Sequence, residues 1–279
     1  MPEWTLINLG RGKTQSESHC GSEQFGEIMR VAVLGSGGKD STYAAWWSQL
    51  QGWEVVCIVT VRVIGDDSFM FQIDNTPVAG LQASSMGIPW LPVVTKGVEE
   101  KEIYDLENAI LGNSDSESDF SKIWPDQFEL PDSMSLHSGK LEIDGLVSGA
   151  LRSDYQKTRL ELMCERIGVR SFSPIWHKSP SQHMRSLLNH GFGVVFTSVS
   201  SEGMDESWIG LRLDSKSLDR LENLSRKHRF NLDGEGGEFE TIVVEGPHMR
   251  GRILFDGNPS WDGSRGSLIL NSCSLEDYR

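Results

Sequence analysis

Ser36-Gly37-Gly38-Lys39-Asp40-Ser41 sets two adjacent glycines between hydroxyl side chains, with an ammonium and a carboxylate alongside. Glycines let a backbone pass close to an anion, successive N–H groups can point at it, and the Ser36 and Ser41 hydroxyls add donors. Val31-Ala32-Val33-Leu34 before the turn reads as a strand, and Thr42-Tyr43-Ala44-Ala45-Trp46 after it reads as a helix. The turn therefore falls at a helix N-terminus, where unpaired N–H groups favour negative charge. Other glycine-loop patterns fail on spacing. A Walker A loop needs Ser or Thr where Asp40 follows Lys39, and a dinucleotide fingerprint begun at Gly35 needs a glycine at position 40. The plain alternative is an ordinary strand-to-helix turn capped by Asp40 or Ser41. The coincidence of glycines and hydroxyls favours a pyrophosphate loop, one suited to splitting ATP into AMP and PPi.

Two further segments carry chemistry. Gly149-Ala150-Leu151-Arg152-Ser153-Asp154-Tyr155-Gln156-Lys157-Thr158-Arg159 follows an apolar run and opens a helix that Ser153 or Asp154 can cap. Tyr155 and Arg159, four apart, share a helix face, so Tyr155, Gln156 and Arg159 are expected at the same sheet edge as the phosphate loop. Gly234-Glu235-Gly236-Gly237-Glu238-Phe239-Glu240-Thr241 combines backbone freedom with three carboxylates ahead of the strand Ile242-Val243-Val244. Carboxylates repel phosphate unless a cation intervenes, so Mg²⁺ coordination or the binding of an amine or ammonium is the sensible use. A glycine-rich turn with solvated glutamates fits the same residues.

These segments need elements to position them. Strands are expected at 30–35, 54–62, 90–94, 144–150 and 171–175, and helices at 41–51, 76–87, 98–111 and 154–167, an alternation that implies a parallel sheet with right-handed crossovers. Beyond Trp176 a helix at about 179–190, the run Gly193-Val194-Val195-Phe196, a helix at about 215–229 and short β-like segments suggest a smaller α+β unit. The expected division is a flexible extension at 1–28 (or a start at Met29), a nucleotide domain at 29–176 and a second domain at 177–279. Residues 113–140 lack periodicity and read as a mobile insertion, a solvated acidic loop more than a lid.

Composition narrows the classes. Of the formal net charge of -14, residues 99–144 contribute -10, with 13 acidic side chains against 3 basic, whereas residues 145–190 carry 7 basic against 3 acidic. That local excess suits ATP phosphates or an acidic protein target, but broad nucleic-acid binding needs a more extended basic face. Cys20, Cys57, Cys164 and Cys273 form no metal-spaced cluster and read as reduced thiols, Cys57 and Cys164 in the core. No apolar run approaches a membrane span or the core of a signal peptide, so a cytoplasmic protein with no membrane partner is expected.

Together the three motifs make the chain, from about Met29 to Thr241, resemble the diphthine–ammonia ligase family of N-type ATP pyrophosphatases. The first motif alone marks only the superfamily, which includes GMP synthetase, NAD synthetase and tRNA-thiolating enzymes, while the glutamate-rich segment is more specific. Pro174-Ile175-Trp176 and Asp205-Glu206-Ser207-Trp208-Ile209-Gly210 are similar too. The resemblance implies a Rossmann-like (HUP-type) α/β fold, with helices on both faces of a parallel sheet and a smaller α+β C-terminal domain. It implies ATP and Mg²⁺ as cofactors, with ammonia and diphthine-bearing translation elongation factor 2 as partners and a homodimer as a candidate assembly. The activity implied is amidation of diphthine through an acyl-adenylate.

By the same resemblance Ser36, Gly37, Gly38 and Ser41 serve the β,γ-phosphates, aided by Lys39, and Asp40 orients the loop or holds Mg²⁺. Ser153, Asp154, Tyr155, Gln156 and Arg159 line the nucleotide side, while Glu235, Glu238 and Glu240 serve diphthine or ammonia. Substrate contacts are expected from Trp176, Trp208, Gly234, Gly236, Gly237 and Thr241. The chain departs from the family's habit at Arg152, Lys157 and Leu211, and in the 113–140 segment and N-terminal extension. Another amide ligase, a tRNA thiolase and a noncatalytic adenine-nucleotide sensor are the alternatives. Thiolation is disfavoured by the lack of paired cysteines, and a sensor by a motif suited to a second substrate.

Overall fold

A computed structural model of the chain describes residues 27–64, 75–98 and 100–278. The expected N-terminal extension therefore lies almost wholly outside the described residues. Five strands, β1 (Arg30–Leu34), β2 (Glu54–Val63), β3 (Trp90–Thr95), β4 (Gly145–Val147) and β5 (Arg170–Phe172), form a parallel sheet in the order β3-β2-β1-β4-β5. Between them run α1 (Lys39–Leu50), α2 (Val78–Met86), α3 (Lys101–Ile110), α4 (Ser116–Ile123) and α5 (Asp154–Ile167). Alternation along β1 fixes the layers. Val31 and Val33 pack with Tyr43, Ala44 and Leu81 on one face, and Ala32 packs with Leu106 and Met163 on the other. The chain winds outward from β1 to β3 and then returns to β4, so the C-terminal ends of β1 and β4 bound the switch point where such sheets bind ligands.

Two expected strands are shorter than their apolar runs. β4 stops at Val147 because Ser148-Gly149-Ala150 bends beneath the start of α1, so closely that a Cβ on Gly149 would lie 2.6 Å from the Ser41 nitrogen. β5 stops at Phe172, and Trp176 falls in the turn that follows rather than at a strand end.

The 113–140 segment is not the solvated loop its composition suggests. Asp115 caps α4 by accepting from the Ser118 N–H at 3.1 Å, and Phe120 and Trp124 place their rings 6.1 and 5.9 Å from that of buried Trp90. The Trp90 backbone N–H donates to the Ser135 carbonyl and the Trp90 carbonyl accepts from the His137 backbone N–H, both at 2.8 Å, so the segment continues the sheet at the β3 edge. Asp119, part of the acidic run, accepts from the Val94 N–H at 3.2 Å. Its apolar residues escape a period search because they span two helical turns and then a proline.

The rest of the chain forms α6 (Pro180–Asn189), β6 (Gly193–Val199), α7 (Ser215–His228), β7 (Phe239–Glu245), β8 (Gly251–Trp261) and β9 (Gly266–Asp277), with an antiparallel sheet ordered β7-β6-β9-β8. The last two are long partners of 11 and 12 residues, not short segments. An Asp214–Ser217 capping box starts α7. Cys57, Cys164 and Cys273 are free and buried, and no helix among the described residues is long and apolar enough to cross a membrane.

The two sheets share one core that extends from Val31 and Tyr43 to Phe196 and Ile242. At its centre Gln82 is buried, and its amide nitrogen donates to the Gly37 carbonyl at 2.9 Å and to the Val243 carbonyl at 2.7 Å. Replacing Gln82 by Met keeps the volume but removes both donations, and the buried Val243 carbonyl then loses this partner. Loss of about 1–3 kcal/mol is expected, read as a lower urea midpoint with an unchanged slope.

Candidate active site

The loop after β1 is built by what its backbone must reach. Gly37 has φ +82°, a left-handed conformation that glycine adopts without strain. Its carbonyl accepts from the Val243 N–H of β7 at 2.9 Å as well as from Gln82. A trans peptide places N–H and C=O on opposite sides, so the Gly38 N–H faces away from β7. The Lys39 N–H donates to the Thr241 hydroxyl at 3.3 Å. α1 begins at Lys39 with Gly38 as its cap residue, so Asp40 and Ser41 occupy the first helical turn instead of capping it. The Ser41 hydroxyl lies 3.2 Å from both the Ser36 nitrogen and the Gly38 carbonyl, closing the turn.

A cleft of about 220 Å³ opens at the switch point. Leu34, Val59, Val61 and Leu160 give it an apolar side, Ser148–Ala150 contribute backbone, and Ser36, Asp40, Ser41, Gln156 and Glu235 make the polar side. Ser36, Asp40 and Ser41 of the first motif, Gln156 of the second and Glu235 of the third thus meet in one cavity, whereas Gly37 and Gly38 are not among its lining residues. Sequence reasoning missed the apolar side, whose residues look like ordinary strand and helix core.

Asp40 is held at both oxygens. Lys39 Nζ donates to Oδ2 at 2.8 Å, and His183 Nε2 lies 2.7 Å from Oδ1. Burial pushes the carboxyl pKa up, but the Lys39 charge and the His183 hydrogen bond outweigh it and hold the pKa below the ordinary value. Lys39 is 4% exposed, lies over the Phe239 ring and does not line the cleft, so it supports Asp40 from behind. His183 is fully buried on α6, edge-on to Tyr43, and its Nδ1 has no hydrogen-bond partner among the described residues. Nothing around it in sequence marks it, since a lone histidine beside Met184 reads as core.

Ser153 caps α5, its hydroxyl accepting from the Gln156 N–H at 3.3 Å. Arg159 stacks on Tyr155 at 3.5 Å and pairs with Glu100 at 2.8 Å, and Asp154 is exposed in the first turn; none of the three lines the cleft. Across from them, Glu235 Oε1 accepts from the Arg152 and Ser153 N–H groups at 2.9 and 3.1 Å. The Arg152 guanidinium donates to fully buried Asp233 at 3.1 and 2.6 Å. This latch was hidden because its halves are 81 residues apart. Burial, with the nearby Asp40 charge, raises the Glu235 carboxyl pKa against the Arg152 N–H that lowers it.

The remaining expected substrate residues divide. Glu238 accepts from the Asn231 and Gly236 N–H groups, each at 2.7 Å, and so ties its own loop, in which Gly234 and Gly237 have φ +73° and +79°. Glu240 is half-buried on β7, and Thr241 is buried behind Lys39. Trp176 is half-buried on the turn after β5 and does not line the cleft. Trp208 is not at a surface. It is fully buried, its ring 5.2 Å from Phe196, and it is a core side chain of the second sheet. Among the described residues no group of three or more His, Cys, Asp or Glu could hold a metal without further ligands.

Two family models match the chain. The diphthamide synthase N-terminal domain matches residues 29–119 and 129–171, and the diphthamide synthase C-terminal domain matches residues 179–275. Only 120–128 of the expected insertion falls outside them. The chain is 29% identical over 240 residues to a human (Homo sapiens) diphthine–ammonia ligase, covering 82% of this chain and 84% of that one. The bovine (Bos taurus) diphthine–ammonia ligase is 28% identical over 239 residues, with the same coverage. A solved structure, a predicted subunit of tRNA methyltransferase from Methanocaldococcus jannaschii, aligns over 79% of this chain and 98% of that one at 16% identity and a TM-score of 0.37, too distant to bear on function.

Opposite pKa shifts predict opposite pH behaviour. The lowered Asp40 pKa contributes stability that is complete above pH 3.8 and lost as pH falls through the folded-state value. Asp40→Asn should therefore be less stable than wild type at pH 7, with the gap closing below pH 3.8. The raised Glu235 pKa costs stability as pH rises from 4.5 through its folded-state value, so Glu235→Gln, which keeps the acceptor oxygen, should gain on wild type from pH 4 to pH 7. Unfolding midpoints measured across this pH range check both.

Proposed function

The chain belongs to the diphthamide synthase family and is an ATP-dependent ligase; from that premise we propose that it amidates the carboxylate of diphthine on translation elongation factor 2 with ammonia, through an acyl-adenylate, releasing AMP and PPi. The observation that carries the reading is the cleft itself, where an apolar wall and a serine-glycine turn meet at the switch point of the sheet.

The chemistry explains the arrangement. A carboxylate resists attack by an amine, so its oxygen must first bond to the α-phosphorus of ATP, expelling PPi. Ammonia then attacks the activated carbonyl carbon and AMP leaves. Leu34, Val59, Val61 and Leu160 take the adenine, the backbone from Ser36 to Gly38 and the Ser41 hydroxyl take the β,γ-phosphates, and Gln156 stands beside the α-phosphate. The Gly38 N–H, turned away from β7, stabilises charge as it builds on the departing PPi. Losing one such donor costs about 2.7–4 kcal/mol in comparable oxyanion sites.

Asp40 and Glu235 fit Mg²⁺, because this ion is held through one or two carboxylates together with substrate phosphates. Glu235, desolvated and beside a second carboxylate, also benefits from a cation. When bound, the ion offsets phosphate charge. Lys39 and His183 keep Asp40 ionised and aimed. Glu238 acts by shaping the loop that Glu235 projects from, and Glu240 flanks the acceptor side.

ATP, ammonium and diphthine-bearing elongation factor 2 incubated with the chain should yield AMP and a mass decrease of about one dalton on the factor, from exchange of OH for NH₂ during acyl transfer. ADP as product would end the reading. Asp40→Ala should abolish AMP formation while leaving a cooperative unfolding transition. Glu238→Ala, which frees two loop N–H groups, should retain ATP binding and lose amidation; wild-type turnover would remove its role.

A further inference from the structure

The turn after β5, which is tied to the cleft wall, carries an aromatic ring that already holds an ammonium group, and the phosphate chemistry makes no use of it. Lys157 Nζ lies over the Trp176 indole, 5.3 Å from its centre, and is also paired with Glu161 one turn along α5. The indole stacks on His177, with ring centres 4.8 Å apart and planes 18° from parallel. The turn bearing both rings is anchored to the cleft. The His177 N–H donates to the Leu151 carbonyl at 2.8 Å, and Arg152 donates to the Lys178 carbonyl at 3.0 Å. The Ser173 hydroxyl lies 3.0 Å from that of Ser148, which lines the cavity. Lys157 and Glu161 keep 28% and 47% of their side-chain surfaces exposed, so the ammonium can leave without disturbing the core.

We infer that the Trp176 face beneath Lys157, with the Glu161 carboxylate beside it, seats the quaternary ammonium of the acceptor. This rests on the diphthine reading, since diphthine carries a trimethylammonium on the carbon that bears the reacting carboxylate. A quaternary ammonium has no N–H to donate, so aromatic faces and carboxylates are the groups able to recognise it. The Lys157 ammonium is strongly hydrated and returns readily to water when displaced. A nitrogen held on this turn keeps the attached carboxylate at the cleft mouth. Lys157 is then a resident competitor for the seat, and removing it should strengthen binding.

Glycine betaine, a trimethylammonium carboxylate, and 3,3-dimethylbutanoate, its carbon isostere without the positive charge, separate charge recognition from shape. Methyl saturation-transfer titrations of the full chain should show betaine bound about 3- to 30-fold more tightly than the isostere, the range open to a cation–aromatic contact. Trp176→Leu should abolish the preference, Trp176→Phe should retain part of it, and Lys157→Gln should tighten betaine binding. In the amidation assay Trp176→Leu should raise the KM for the diphthine-bearing factor and leave the KM for ATP unchanged. Equal binding of the two probes by wild type, or unchanged betaine preference in Trp176→Leu, overturns the inference. If Trp176→Leu does not fold, weaker betaine binding by Lys157→Gln overturns it as well. Wild type that prefers betaine in this pattern but does not amidate diphthine keeps the seat and removes the functional reading.

Discussion

The Gly37 carbonyl is the point on which both halves of the molecule turn. It accepts from the Val243 N–H and from Gln82, whose second N–H returns to Val243, so loop, helix α2 and strand β7 are joined through a few atoms. Each such bond is worth only about 0.5–1.5 kcal/mol net, yet their effect on geometry is larger than their energy. With the carbonyl fixed toward β7, planarity of the peptide fixes the Gly38 N–H on the other side. The second sheet thus sets the conformation of a loop that belongs to the first, and Thr241 repeats the contact at the Lys39 N–H.

Charge follows the same division. Asp40 from the first sheet is met by His183 from α6, and Arg152 from the first is met by Asp233 and Glu235 from the loop before β7. Each half carries a carboxylate with a partner on the other, with Asp40 kept ionised while the Glu235 pKa is raised by burial. Asp40 already has its compensating cation in Lys39, but Glu235 is desolvated beside a second carboxylate, which suits the arrival of a cation with a polyphosphate.

The parallel sheet is legible in the sequence because Val31–Leu34, the β2 run and the β3 run are apolar and separated by helical periods. The loop is legible because only glycine suits the φ of Gly37 and its close approach to Ala79. What escapes are contacts between distant residues. Gln82, His183 and Asp233 are single polar residues in apolar or loop surroundings, and their roles exist only once the two sheets pack together. Trp208 misleads for the converse reason, as its neighbours Asp205 and Ser207 are exposed while its own ring fills the core. In the 113–140 segment acidity disguises helix caps and β-edge pairing, because a carboxylate that satisfies a backbone N–H looks in sequence like one that faces water.

The most direct test of the central claim is a crystal structure of the full chain with a non-hydrolysable ATP analogue. The β- and γ-phosphates should lie against the backbone of Ser36–Gly38 and the start of α1, within hydrogen-bond reach of the Gly38 N–H, with adenine against Val59, Val61 and Leu160. Phosphates bound elsewhere, with the serine-glycine turn unoccupied in the same crystal, would contradict the account.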